Sequence, residues 1–180
     1  MFRLLWKTLR TGVITESPSK IRDFNLENFE VVGENIKKLV DELYGGRALR
    51  IRHVDAGSTN AEELELTALG NPYYDIERFG LSFTASPRHA DILTVSGPVT
   101  RNMEHALKTA YEMTPEPKIV IAVGDAAITG GIWNGSYAVV GPVEAVIPVD
   151  AKIPGDPPSP LAIMKGLLTA LEAAKEKKHA

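Results

Sequence analysis

The sequence predicts an α/β domain built on an open, mostly parallel sheet with helices on both faces. Three observations carry that expectation. Helix-like and strand-like patterns alternate from about Gly33 to the end of the chain. Lys118–Val123 is almost wholly apolar and β-branched, as a parallel strand covered on both faces should be. Asp91–Ser96, Lys118–Val123 and Ala145–Val149 are also separated by connections long enough for the crossovers that parallel strands require.

The elements follow in order. Met1–Arg10 reads as a short amphipathic helix: Phe2, Leu5, Trp6 and Leu9 share one face, and Arg3, Lys7 and Arg10 make a cationic stripe. A helix this short needs a surface to lie on. Its own domain, a partner subunit and a membrane interface are all open as that surface. Thr11–Glu30 has little periodicity and reads as an extended arm, so residues 1–30 are assigned to helix and arm and 31–180 to a single α/β domain. Ile36, Leu39, Val40 and Leu43 form a helix face stopped by Gly45-Gly46. Ala48–Val54 alternates as a strand, and a helix follows near Asn60, with Glu63 placed for a capping box. Gly80–Ala85 is a short strand, and Asp91–Ser96 another, ending at Gly97-Pro98. Met103, Ala106, Leu107, Ala110 and Tyr111 give a helix face broken by Pro115. After Lys118–Val123 and Ala145–Val149, the last helix takes Ser159 as its N-cap and Pro160 as its first residue. Leu161, Met164, Leu167, Leu168 and Leu171 line the inner side of that helix.

Composition narrows the function. The net charge of −3, from 20 basic and 23 acidic side chains, gives no chain-wide attraction to nucleic acid. No apolar run approaches the roughly 20 residues of a membrane-spanning helix. No signal peptide is visible, so a cytoplasmic location is expected. The chain has no cysteine, which excludes disulfides, thiolate zinc sites, cysteine nucleophiles and a conventional cysteine-held iron–sulfur cluster.

In open parallel sheets, sites form beyond the carboxyl ends of the strands. Those ends lead here into Gly57–Glu63, Gly97–Arg101, Gly124–Gly131 and Pro154–Pro158. Gly57-Ser58-Thr59-Asn60-Ala61-Glu62-Glu63 is similar to a G-S-C-N-G-C-E motif with Thr59 and Glu62 in place of cysteine. Asn71–Gly80 matches the segment that follows that motif. Ser86-Pro87-Arg88-His89-Ala90-Asp91-Ile92-Leu93 and Gly97-Pro98-Val99-Thr100 match S-P-R-H-A-D-I-L and G-P-V-T. Val123-Gly124-Asp125-Ala126-Ala127 looks like V-G-D-C-A, and Ile153-Pro154-Gly155-Asp156-Pro157-Pro158 looks like I-P-G-C-P-P. Together, from about His53 to Leu168, the chain resembles the 20-kDa complex-I-type small subunit of membrane-bound energy-converting [NiFe]-hydrogenases and related oxidoreductases.

The resemblance implies a flavodoxin-like fold and a 4Fe–4S cluster at the edge facing a hydrogenase-like large subunit. It also implies a ferredoxin-like subunit and integral membrane subunits as further partners, with peripheral attachment on the cytoplasmic side of the membrane. The positions matching the cluster ligands hold Thr59, Glu62, Ala126 and Asp156. Clusters need soft thiolate donors, and alanine has no side-chain donor, so no cofactor and no metal are expected. A hard cation on Thr59, Glu62 and Asp156 is the competing use of those residues, although all three are also ordinary cap and loop types.

No catalytic residue is assigned to the chain itself. Phe2, Trp6, Arg88 and His89 are the candidates for partner interfaces, while His53, His89 and His105 lack metal-like spacing. A cluster-free scaffold in the small-subunit position is the leading reading. An electron-transfer subunit with a bypassed or replaced cluster, and a stand-alone α/β protein binding a small ligand, are the alternatives.

Overall fold

The computed structural model describes residues 26–179 together with Trp6. Its frame is a five-stranded sheet, formed by β1 (Leu49–Asp55), β2 (Leu81–Phe83), β3 (Ile92–Ser96), β5 (Ile119–Val123) and β7 (Ala151–Ile153). The spatial order is β2-β1-β3-β5-β7, and every pairing is parallel. Apart from a separate two-stranded antiparallel ribbon of β4 (Val99–Thr100) and β6 (Val139–Gly141), this is the flavodoxin-type order. The helices are α1 (Leu26–Tyr44), α2 (Ala61–Ala68), α3 (Arg101–Met113), the short α4 (Asp125–Thr129) and α5 (Pro160–His179).

Register aligns Ile51 with Ile92 and Ile92 with Ile119, so equivalent side chains alternate between faces in step across the central strands. Every residue of β3 and β5 is buried. One face packs Leu49, Ile51, Ile92 and Ile121 against Phe29, Val32, Ile36 and Val40 of α1 and Ile163, Met164 and Leu167 of α5. The other packs Val54, Leu93, Val95, Val120 and Ala122 against Leu107 of α3 and Ala127 of α4. Helices therefore cover both faces, as the two apolar strands required. Lys175 of α5 reaches Glu42 of α1 at 2.7 Å, tying the two helices of the first face along their exposed seam.

Three local expectations are corrected. The first helix starts at Leu26, well before Gly33, because Phe29 and Val32 extend the apolar face of Ile36 and Val40 by two turns. The last five residues assigned to the extended arm, 26–30, are thus helical, while residues 1–25, Trp6 apart, lie outside the described residues. Ala145–Val149 is not a strand. Pro148 has no N–H to donate to a ladder, and Val143–Ala145 forms a 3-10 turn that buries Val143 in the second face. The edge strand is Ala151–Ile153 instead. Finally, Asn60 precedes α2 in a left-handed conformation, φ 68°, without a side-chain capping bond, and Glu63 is drawn away from the cap.

At the end of the chain, Ser159 caps as expected, its Oγ accepting the N–H of Ala162 at 3.3 Å. Leu107 is the one fully buried side chain of α3. Leu107→Ala should lower unfolding free energy in urea by about 2–4 kcal/mol, through lost burial and a residual cavity. Val31→Ala, on the exposed side of α1, should change it by less than about 0.5 kcal/mol.

Candidate functional site

Chain direction across the sheet reverses between β1 and β3, since the chain goes from β1 outward to β2 and then back to β3 on the other side. Crevices form at such points beyond the carboxyl ends of the strands. Here the crevice is closed tightly. Thr100 donates its N–H to Ala56 O at 2.9 Å, and Ala56 donates to Ser96 O at 3.0 Å. Asp55 Oδ1 accepts the N–H groups of Gly57 and Ser58, both at 2.8 Å, folding the β1 loop back on itself. Gly97, at φ +69°, lies so near this loop that a Cβ would come within 2.3 Å of Ser58 N. Only glycine meets both demands.

Under the loop is a polar network that the sequence pattern did not disclose. Ser58 Oγ donates to Glu63 Oε2 at 2.5 Å, and Ser96 Oγ donates to Glu63 Oε1. His53 Nε2 lies 3.2 Å from both Glu63 Oε1 and Ser96 Oγ, and its Nδ1 is 3.1 Å from Thr94 Oγ1. Burial pushes His53 below its ordinary value, with the Glu63 carboxylate opposing that push. Burial alone would raise Glu63, but hydrogen bonds from Ser58, Ser96, its own backbone and His53 outweigh it and hold the carboxyl below the usual range. Although a serine, a histidine and a glutamate meet here, Ser96 is fully buried, so no substrate reaches its hydroxyl. The network joins α2 to β1 and β3. The signal for it in the sequence was the in-register pair of polar residues, His53 and Thr94, inside otherwise apolar strands.

The four positions that the resemblance aligns with cluster ligands have separate fates. Thr59 and Asp156 are exposed, and Ala126 is half-buried beside Gly131. Glu62 is only 2% exposed, and its Oε2 has no hydrogen-bond partner among the described residues. Its carboxyl lies over Gly124 at the end of β5: a Cβ on that glycine, at φ +92°, would be 2.5 Å from Glu62 Oε1. The β5 and β7 loops meet at the same place, through Asp125 N to Gly155 O at 2.8 Å and Gly155 N to Asp125 Oδ1 at 2.9 Å. Glu62 therefore fills space between the α2 and β5 loops. Burial raises its carboxyl above the ordinary range, and the charges of Glu63, Asp156 and Asp55 push the same way.

These residues do not fit a 4Fe–4S cluster, because none supplies a thiolate and the Glu62 side chain is packed on the loop backbone. Among the described residues, no group of three or more His, Asp or Glu side chains is arranged to hold a metal ion.

The remaining candidates lie elsewhere. Arg88 and His89 are exposed in a 3-10 turn, Pro87–His89, just before β3. That is the opposite end of the sheet from the Thr59 and Asp156 loops. Trp6 is helical and 65% exposed, whereas Phe2 lies outside the described residues. His105 is on the exposed side of α3. Sequence reasoning missed the apolar rim beside the Ala126 loop, where Ile132, Trp133 and Tyr137 stand 89%, 49% and 90% exposed.

Residues 60–170 match the family described as NADH ubiquinone oxidoreductase, 20 Kd subunit. The chain belongs to that family. The chain is 46% identical to a probable membrane-bound hydrogenase subunit, mbhJ, of Pyrococcus furiosus, over 71% of this chain and 76% of that one. A chain in the structure of the membrane-bound sulfane sulfur reductase, an archaeal respiratory membrane complex, superposes with a TM-score of 0.66 at 32% identity, covering 77% of each chain. A chain of the NAD+-reducing [NiFe]-hydrogenase in its H2-reduced state shares the fold, with a TM-score of 0.52 and 18% identity over 68% of this chain and 92% of that one. The 20 Kd family match begins at Asn60, on the loop between β1 and α2.

The two adjacent glutamates should respond oppositely to pH. The folded-state value of Glu62 is raised, so wild-type stability at this position is complete below its ordinary value near 4.5 and is lost as pH rises through the folded value. Glu62→Gln should therefore stabilise the fold by about 1 kcal/mol at pH 8, with the gain vanishing near pH 4. Glu63, held low, contributes stability that is present above its ordinary value and lost as pH falls through the folded value. Glu63→Gln should destabilise by about 1–3 kcal/mol at pH 8 and by less in acid. Urea titrations at both pH values check the pair.

Proposed function

We propose that the chain is a subunit of a membrane-bound, hydrogenase-related or complex-I-like oxidoreductase complex. It stands in the position of the electron-transfer small subunit, carries no 4Fe–4S cluster, and acts as a scaffold. The observation that carries this reading is that Glu62, at a position the resemblance assigns to a cluster ligand, is buried and packed against Gly124 at the carboxyl edge of the sheet. Its relatives' names support the assembly: one is a membrane-bound hydrogenase subunit, and another belongs to an archaeal respiratory membrane complex.

In this reading the carboxyl edge of the sheet faces a hydrogenase-like large subunit. Ile132, Trp133 and Tyr137 supply apolar contact area there, since large exposed aromatic and aliphatic side chains are the usual anchors of interfaces. The chain transfers no electrons itself, because electron relay needs a redox group and the ligand positions offer only oxygen donors or none. Phe2 and Trp6 are the contacts to a neighbouring subunit or the membrane surface in this reading. No helix among the described residues is long and apolar enough to cross a membrane; in this reading the chain attaches through its partners on the cytoplasmic side.

Affinity purification of the tagged full chain from its own cells should bring down a hydrogenase-like large subunit, a ferredoxin-like subunit and membrane subunits. The pair Ile132→Ser and Tyr137→Ser should reduce recovery of the large subunit about tenfold, equivalent to about 1.4 kcal/mol, and leave the chain folded. Iron analysis and EPR of the complex should assign no cluster to this subunit. A cluster signal tied to it would sink the scaffold reading. A stable monomer without partners would sink the complex.

A further inference from the structure

At the end of the sheet where the strands begin, a cleft of about 800 Å³ opens between Tyr44, Arg47, Arg50, Phe83, Arg88 and the Pro115–Pro117 turn. That volume is within the range of small-molecule sites, about 300–1,000 Å³. On a chain of net charge −3, this one cleft gathers three guanidinium groups and the imidazole of His89 against two carboxylates, Asp91 and Glu116.

Both carboxylates are already engaged. Asp91 accepts two bonds from Arg47, at 2.5 and 3.2 Å, and the backbone N–H of Arg50 at 2.9 Å. Glu116 lies 3.2 Å from the Lys118 ammonium and accepts the Lys118 N–H at 3.2 Å. The guanidinium groups of Arg50 and Arg88 have no acidic partner among the described residues. Each is mounted on a fixed piece of backbone. Arg50 is in register with Ser82 of β2, and its carbonyl accepts Asp91 N–H at 2.8 Å. Arg88 is in a turn closed by His89 N to Ser86 O and Ala90 N to Pro87 O. Ser82 and Thr84 line the same cleft, and Phe83 between them is 39% exposed.

We propose that this cleft binds a phosphate-bearing organic anion. Arg50 and Arg88 present forked donors to the phosphate oxygens, a geometry that suits phosphate better than a point charge would. A phosphate brings one negative charge as a diester headgroup and close to two as a monoester, and the two uncompensated guanidinium groups can balance either. Phe83 and Tyr44 offer apolar surface for the attached organic part. Such a group comes either from a soluble phosphomonoester or from the headgroup of an anionic phospholipid. The inference stands apart from the scaffold reading, because it concerns the opposite end of the sheet.

The test uses the full chain in two arms: calorimetric titration with phenyl phosphate, and flotation with phosphatidylglycerol vesicles against phosphatidylcholine vesicles. Binding is expected in at least one arm and should fall at least tenfold in Arg50→Gln/Arg88→Gln, with circular dichroism unchanged. Arg88→Gln alone, on an exposed turn, should lose part of it should the double variant fold poorly. Binding of phenyl phosphate assigns a soluble ligand, and binding of phosphatidylglycerol vesicles alone assigns a lipid headgroup. Absence of binding in both arms overturns the proposal, and so does binding that the arginine variants leave intact.

Discussion

The parallel pairing of β3 with β5 is the constraint on which the rest of the molecule depends. Both strands are buried along their whole length, so each must be covered on two faces, and only helices arriving from both sides can do that. The registers Ile92–Ile119 and Ser96–Val123 then fix which side chains enter which layer. They also fix where the strands end. Ser96 and Val123 reach the same level, so Gly97 and Gly124 open side by side at the carboxyl edge, and the loops from β1 and β7 are drawn in against them.

That edge holds two adjacent glutamates in unlike surroundings. Glu63 is surrounded by donors that hold its carboxyl below the usual range and tie α2 to the strands. Glu62 is turned the other way, buried against Gly124 with an oxygen left unpaired. A buried unpaired polar atom costs about 1–3 kcal/mol, and an apolar side chain of similar size would avoid that cost. The position is thus occupied by a residue that stability alone does not favour. Glu62 fills this space between the α2 and β5 loops, since close-packed interiors tolerate few voids.

The two ends of the sheet differ in electrostatic character. Asp55, Glu62, Glu63, Asp125 and Asp156 gather near the carboxyl edge, together with an apolar rim at Ile132, Trp133 and Tyr137. Arg47, Arg50 and Arg88 gather at the opposite end. Opposed charge of this kind orients a protein among its partners before any contact forms. One end suits a large apolar interface, and the other suits a small anion.

Much was legible from local pattern. The β-branched run from Lys118 to Val123, the 3.6-residue spacing in α1 and α5, and the Ser159-Pro160 start needed no tertiary information, because each follows from backbone geometry or burial periodicity. Absence of cysteine likewise excluded a thiolate-held cluster from composition alone. What sequence could not supply was set by contacts between distant segments. The start of α1 depended on Phe29 meeting Tyr74 and Phe79, and the edge strand moved to Ala151–Ile153 because β5 accepts a partner only where backbone N–H groups are available. Glu63 left its expected capping role because Ser96, 33 residues away, offered a better donor. Whether Glu62 would be a solvated loop residue or a buried plug depended on how closely α2 approaches Gly124, a distance that only the folded sheet fixes.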